Sequence, residues 1–554
     1  MTADSPTQQQ ILANLLQAFA EIPADEVGQP TIAIITARRK GAVLARGAFL
    51  GVDRCQVIGE ALQLIVTAIG GGIKKADALQ LEIGVRLRPM EISKLANVHT
   101  GKHGLLLVRQ QQLLDAFGGL DMIATNRCMS RAVPWLLEQH GLTAESLAQS
   151  ETKLLTFDSN QVQLWLLPVL KQVPLFRGNR IITPEEITRD RVAQLAKGMS
   201  DWMGNQVDAT GRIVYKYWPS AGTQSSADNS IRQVMATLCL GRIANRSGHT
   251  KDRAIADRNL DHLLREYYRE EGTTLGLIVE QVAVGSPKAK LGAIALTALA
   301  ILEHPVASRY QEPFQRLVNT VDVLSHADGS FQTFYWPSDR NDNHNFYPGE
   351  TLLFWAIALQ RGVAVTTAQR YLASFRHYRD FFRANPNPAF VPWHTQAHVH
   401  LFAVLPEQEI ADFVFEMNDW LLEMVQWKRA PYPDLMGRFY NPERRDFGPP
   451  HASSTAVYLE GLIDAWQLAK RFGMLDRADQ YRVAILRGCR SLCQLQFSTA
   501  EDMFYVTRKN PVAGGIRTEV YDNSIRVDNV QHGLMALHRI LDRFTAEDFL
   551  LNTG

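Results

Sequence analysis

From about residue 185 onward, the chain alternates between two kinds of helical segment, and this alternation constrains its fold more than anything else in the sequence. Long charged amphipathic stretches cover 186–207, 252–272, 306–325, 365–384, 406–428 and 475–498. "ADRNLDHLLREYYREE" and "AQRYLASFRHYRDFF" are examples, each suited to a helix with one wet face. Between them lie segments rich in small and apolar residues. These include "SIRQVMATLCLGRIA", "KAKLGAIALTALAIL", "GETLLFWAIAL", "HTQAHVHLFAVL", "SSTAVYLEGLIDAWQLA" and "NVQHGLMALHRIL", beginning near 229, 288, 349, 393, 451 and 527. A helix that is apolar all round must be buried. Six outer–inner pairs therefore repeat with a period of roughly 60 residues.

Six helical hairpins with buried inner members can close into a ring, the (α/α)6 toroid. An open superhelix is the rival, but such arrays need polar capping units at their ends. Here the last inner segment stays apolar almost to the C-terminus, which favours closure. "GRIVYKYWPS" and "GSFQTFYWPS" share Tyr-Trp-Pro-Ser, and "GRFYNP" and "MFYVTRKNP" echo them loosely. All four precede inner segments, which predicts aromatic hairpins on one rim, walling a cavity.

Residues 1 to about 180 read differently. "TIAIITA" and "LQLEIGVRL" are predicted strands, and "GLLLVRQQQLL" begins as a third. "VIGEALQLIVTAI" and "RAVPWLLEQHGL" are predicted helices, giving an α/β or α+β domain. The expected division is 1–180 and 185–554, within the 554 residues that exceed one ordinary core. "ARGAFLG", "LEIGVRLRPMEI", "GKHGLLLV" and "SRAVPWLLEQHGLTAESL" together resemble, in order, the AMMECR1-like domain. That family's "RGCIG"-like segment is here "RGAFLG", without the cysteine, so no chemistry attached to that cysteine carries over. The resemblance implies a fold more than a function; the pairing of such a module with a ring suggests that the first recruits or caps the second, and the module is where a protein partner would be expected.

The composition, 46% hydrophobic and 21% charged, is that of an ordinary globular protein. A net charge of +1 makes no electrostatic case for nucleic acid or an anionic membrane. No apolar run approaches the ~20 residues of a membrane span. The start, "MTADSPTQQQ", has no basic then apolar leader pattern. The five cysteines are scattered and read as buried thiols in a reducing cytoplasm. Cys489 and Cys493 stand one turn apart but lack further zinc ligands nearby. His394 and His398 face one way on a helix, without the Glu of His-Glu-x-x-His, and read as core or substrate-contacting. No cofactor or metal is expected.

In a toroid the inner-helix N-termini converge on one opening. Glu350, in "NFYPGETLLFWAIAL", would enter that cavity, where burial shifts a carboxyl pKa; alternatively it is only a helix-start carboxylate. The first mouth offers Asp228, Asn229 and Arg232, and the second Lys288. The third adds Asn345 and Tyr347, and the fourth His394. The fifth offers Arg438, Tyr440, Arg444, Asp446 and His451. The sixth packs Arg517, Glu519, Tyr521, Asp522, Arg526, Asp528 and His532 into sixteen residues. With Trp218 and Trp336 on the rim, this set suits an oligosaccharide or other small polar substrate, polyhydroxylated and anionic. Rings stack on sugar faces, and Arg binds carboxylates in bidentate fashion.

This arrangement resembles the superfamily of toroid carbohydrate enzymes, which includes glycoside hydrolases, polysaccharide lyases and sugar epimerases. "IRVDNVQH" is also similar to the Arg-x-Asp-Tyr-x-x-x-His-type segment of glucuronyl C5-epimerase C-terminal domains. Arg526 and Asp528 match it; the tyrosine position is Asn529, and the histidine spacing is shorter. Hydrolysis, slightly preferred, would pair Glu350 with Asp228 or Asp528 across the bond. Lyase or epimerase chemistry would draw its base and cation from Tyr347, Tyr440, His451, Glu519 and Arg526. A non-catalytic toroid that binds a glycan or protein is the third reading. A terpene cyclase lacks its Asp-rich motif here, and a lanthionine cyclase would need Cys/Cys/His zinc ligands around the ring.

Overall fold

The computed structural model describes residues 6–18, 29–70, 72–281 and 285–550; the opening pentapeptide of the leader argument lies outside them. The N-terminal part is a seven-stranded sheet: β1 (Thr31–Arg39), β2 (Ala42–Gly51), β3 (Ala78–Pro89), β4 (His103–Arg109), β5 (Gln112–Phe117), β6 (Thr152–Trp165) and β7 (Lys171–Leu175). The order is β2-β1-β3-β6-β4-β5, with β7 also on β6, and every pair is antiparallel. Of the two fold classes left open, the strand directions therefore select α+β over a parallel α/β sheet. Two hairpins turn on positive-φ pairs, Lys40-Gly41 and Gln110-Gln111, as tight hairpins require. At Gly41 a Cβ would also lie 2.4 Å from the Val506 carbonyl oxygen, so the turn abuts the helical part.

Helices α1 (Gln8–Ala18) and α2 (Arg54–Ile69) bury Ile11, Leu15, Val57, Ala61 and Ile65 against one sheet face. Helix α4 (Met129–Gln139), flanked by the short α3 (Gly119–Thr125) and α5 (Ala144–Ala148), packs on Leu105 and Leu107. The sequence reading missed β2, β5, β6 and β7. In β6 the alternation is masked by buried polar residues, most of them bonded where they stand, although the buried Gln163 amide finds no partner. Asp158 takes Arg86 and Arg88, and Gln161 donates to the Gly101 carbonyl.

The second part is a ring of twelve helices. The outer layer is α6 (Arg189–Asn205), α8 (Thr250–Tyr267), α10 (Gln311–Val323), α12 (Ala368–Ala384), α14 (Gln408–Leu422) and α16 (Leu475–Leu495). The inner layer is α7 (Ser230–Ser247), α9 (Leu291–Leu302), α11 (Tyr347–Gln360), α13 (Val391–Phe402), α15 (Ala452–Arg471) and α17 (Val527–Arg543). Each inner helix packs on the next, and α17 packs on α7, so the ring is closed. Inner members are buried nearly all round: ten consecutive residues of α9, Leu291 to Ala300, are buried.

The hairpins are offset by one from the outer–inner pairs read in the sequence. Inner α7 pairs tightly with the following α8, and the leftover α6 closes against α17. The reason is connection length. The inner-to-outer links are tight (Gly248-His249 is the shortest), whereas the outer-to-inner links are long and build the rim.

Those long links repeat a local turn. The bridges Val207↔Ile213, Ser325↔Phe331, Val425↔Phe439 and Gln496↔Ile516 each follow an outer helix. The Tyr-Trp-Pro-Ser echo has a structural counterpart. The short strands β8 (Lys216–Trp218), β9 (Thr223–Gln224), β10 (Tyr268–Glu271), β11 (Leu275–Glu280), β12 (Lys288–Lys290), β13 (Phe334–Trp336), β14 (Arg517–Glu519) and β15 (Asp522–Arg526) form two four-stranded sheets. In each, the Tyr-Trp strand pairs with the strand leading into an inner helix: β8 with β15 before α17, β13 with β12 before α9.

The sheet region sits on the link that carries β14 and β15. Asn126 donates to Asp522 at 3.0 Å and accepts from the Asn523 amide at 2.9 Å. The buried pair Arg177–Asp434, 2.9 Å apart, joins the same region to the α14–α15 link. Leu120, Ile123, Val173 and Leu175 share a core with the ring. No helix among the described residues is long and apolar enough to cross a membrane.

Candidate active site

All six inner-helix N-termini contribute to one cavity of about 350 Å³. Asn229, Ile231, Arg232 and Met235 come from α7, and Lys290 from the residue before α9. Asn343, Phe346, Tyr347 and Glu350 come from α11, and Ala389 and Trp393 from α13. Phe447, His451, Ser454 and Tyr458 belong to α15 and its approach; Arg526 ends β15 at the N-cap of α17, and His532 lies on α17. Six positive dipole ends gathered here favour anionic groups.

Glu350 is 2% exposed, and its Oε2 has no hydrogen-bond partner. Burial pushes the carboxyl up to about 8, against the pull of Arg232 and Lys290. At pH 7 it therefore carries its proton in the wall of a polar cavity. Room for it exists only because residue 292 is glycine: a Cβ there would stand 1.9 Å from Glu350 Oε2 and 2.7 Å from the Tyr347 ring. Gly292→Ala is expected to cost about 1–3 kcal/mol by overpacking. Its larger effect should be to displace the carboxyl, moving the pH profile of any turnover; circular dichroism would check that the fold is retained.

Asp528 is fully buried behind this wall. Arg526 Nε donates to Oδ1 at 2.9 Å while a second Arg526 nitrogen reaches Oδ2, and Arg232 Nε lies 3.3 Å from Oδ2. Burial works against its charge, but the two guanidiniums outweigh it and hold the carboxyl down to about 2. Asp528 is thus a permanent anion that orients two cavity arginines. Lys290 is held in the same way by Glu280 at 2.8 Å, which also accepts from the Ser230 amide and hydroxyl.

His532 contributes a different element. Its Nδ1 lies 2.6 Å from Oε1 of Glu460, a buried carboxylate on α15. With Glu460 accepting, Nδ1 carries the proton and Nε2 is left with its lone pair. Trp393 stands edge-on to the ring at 5.9 Å. His451, at the α15 N-terminus, is pushed below the ordinary histidine range by burial, then by Arg526.

Of the residues proposed from sequence, Asn229, Arg232, Tyr347, Glu350, His451, Arg526 and His532 meet in the cavity. Asp528 lies behind it. Asp228 points elsewhere, paired with Arg212 at 3.3 Å and accepting from Gln233 at 2.8 Å, beside a separate surface hollow. Trp218 lies against Lys216 at 5.1 Å and Trp336 against Tyr335 at 5.6 Å, both outside the lining. Glu519 pairs with Arg438, which covers Tyr440 at 5.0 Å, in a neighbouring cluster. Arg444 is exposed and paired with Asp446 at 2.7 Å. In the second mouth it is Lys290, two residues beyond Lys288, that lines the cavity.

His394 and His398 are fully buried inside α13. His394 stacks on Phe390 at 3.5 Å, and His398 meets the Tyr371 hydroxyl at 3.3 Å. Among the described residues, no group of three or more His, Cys, Asp or Glu could hold a metal ion. Sequence reasoning passed over Lys290, Trp393, Tyr458 and Glu460. Glu460 had the same signal as Glu350, a carboxylate inside an apolar inner helix.

No family model and no curated protein matches the sequence. Among solved structures, the chain is similar to an unsaturated glucuronyl hydrolase specific for heparin, with TM-score 0.41 and 11% identity over 64% of this chain and 97% of that one. It is also similar to an alpha-1,6-mannanase from a Salegentibacter species, with TM-score 0.43 and 11% identity over 63% and 98%. An unsaturated glucuronyl hydrolase from Streptococcus agalactiae gives 0.41 and 11% over 66% and 94%. At such scores the likeness carries no argument; the closed ring stands on its own helix packing.

Proposed function

We propose that the chain is a carbohydrate-active enzyme that takes a polyhydroxylated, carboxylate-bearing sugar into the ring cavity and hydrolyses a glycosidic bond with Glu350 as general acid. The observation that carries this reading is Glu350 itself, a carboxyl buried in a cavity wall lined by cations and aromatic rings, with no partner at Oε2 and pushed up to about 8 by burial. Its proton goes to the leaving oxygen as the bond to the anomeric carbon breaks, and water adds to that carbon. The base that takes the water's proton is assigned to His532 Nε2, backed by Glu460. Asp528 suits this role poorly, because both its oxygens are engaged by arginine. Arg232, Arg526 and Lys290 would receive the sugar carboxylate, and Trp393 and Tyr458 its ring faces.

One observation favours a second reading. The His532–Glu460 pair, in one cavity with three cations, also suits removal of a proton beside a carboxylate, with the cations holding the enolate. A thermal-shift screen with uronate-bearing and neutral oligosaccharides tests the common part. A ligand at 100 times its Kd adds about 2.7 kcal/mol. Turnover in labelled water then separates the reactions, since hydrolysis places solvent oxygen in the product and elimination yields an ultraviolet-absorbing double bond. Stabilisation without turnover of any sugar would leave a binding toroid and sink the enzyme reading.

A further inference from the structure

The ring has a second cavity, at the opposite end. About 440 Å³ in volume, it opens among the C-terminal ends of the inner helices and is lined by Arg242, Arg246, Arg361, Arg539 and Arg543. Its charges do not balance. Glu303 is shared by Arg242 at 2.7 Å and Arg361 at 3.2 Å. Asp464 is likewise shared by Arg539 and Arg543, while Asp542 takes Arg246. Five guanidiniums therefore face three carboxylates paired to them, with Glu460 a fourth that acts on Arg242 and Arg539 through space. Helix C-terminal dipoles absorb part of the excess, as where Arg361 donates to the Leu302 carbonyl at 2.9 Å.

The guanidiniums are graded by depth. Arg242 and Arg539 lie deep, at 25% and 18% side-chain exposure, whereas Arg246 and Arg361 stand at the opening, at 40% and 45%. Crowding guanidiniums around a half-buried hollow is unfavourable unless an anion shares them, and their fork geometry suits phosphate and carboxylate oxygens. Cys239 and Met535 line this cavity, whereas Met235 and His532, about one helical turn away on the same two helices, line the other. The two cavities stand back to back, and Arg539 donates to the backbone carbonyl of Glu460, the residue that holds His532.

We propose that this hollow is a second binding site, for a small ligand carrying two or more oxyanion groups, phosphate or carboxylate. It is independent of whatever reaction the first cavity performs. Isothermal titration calorimetry of the full chain with inorganic pyrophosphate, and separately with citrate, tests it. One of the two anions should bind at low ionic strength and weaken as salt is added, and the tighter one names the oxyanion class. Arg246→Ala combined with Arg361→Ala should weaken that binding at least tenfold, whereas Arg232→Ala, in the first cavity, should leave it unchanged. Each single variant is measured as well, so misfolding of the double variant does not end the test. No binding of either anion to the wild-type chain overturns the proposal, and so does loss in Arg232→Ala with binding intact in the Arg246 and Arg361 variants.

Discussion

Glu350→Gln is expected to lower turnover about 10²–10⁴-fold, the usual range for a general acid, while leaving ligand binding within a few-fold. Glutamine keeps the shape but has no proton to give. The same variant should flatten the alkaline limb of stability. The carboxyl titrates near 8 in the folded chain but near 4.5 when unfolded. Between those values the native state binds the extra proton, so stability falls as pH rises through the window. Above it, the wild-type chain bears the cost of a buried, unpartnered carboxylate, on the order of a few kcal/mol. Urea unfolding at pH 6 and pH 9 should therefore show a larger alkaline loss in the wild type than in Glu350→Gln. Equal losses would mean that Glu350 is not the buried acid of this cavity.

Asp528→Ala should be the most destabilising change near the cavity. It leaves Arg232 and Arg526 confronting each other across an emptied site that is fully buried at Asp528. Breaking a buried pair on one side typically costs 3–5 kcal/mol. Because both arginines are partly exposed, about 3 kcal/mol is expected from the midpoint of urea unfolding. The pH dependence has the opposite sense to that of Glu350. Asp528 is held at about 2, below its ordinary 3.8, so its contribution is fully present above about pH 4 and is lost as pH falls towards 2. That loss, about 2 kcal/mol, should be missing in Asp528→Ala. A variant as stable as the wild type at pH 7 would show that the two arginines do not depend on this carboxylate.

The two carboxylates show how far the sequence could be read. Both stand at the start of an apolar inner helix, and nothing local distinguishes their charge states. Glu350 stays protonated because burial takes its carboxyl out of water, and Arg232 and Lys290 act on it only through space, without a hydrogen bond. Asp528 stays ionised because two guanidiniums close on it. Asp228 occupies an equivalent mouth yet turns outward, to Arg212. Lys288 and Lys290 both lie on β12, yet only Lys290, past the register shift at Ala289 and next to the start of α9, lines the cavity. The strand β6 was illegible for a related reason: Gln161 and Asp158 find partners on β3, in the segment before β4 and in the loop after β7.

What the sequence determined by itself was the ring and the order of its layers. Helices apolar on every side have nowhere to go but inside, and charged amphipathic ones between them must cover the outside. That logic depends only on composition and period, so it survives without coordinates. The tertiary structure alone decided which mouth residues meet, which carboxyl keeps its proton, and that a second, arginine-lined hollow stands behind the first. Those outcomes turn on loop paths, helix rotation and partners hundreds of residues apart, where electrostatics acts through distance rather than through sequence order.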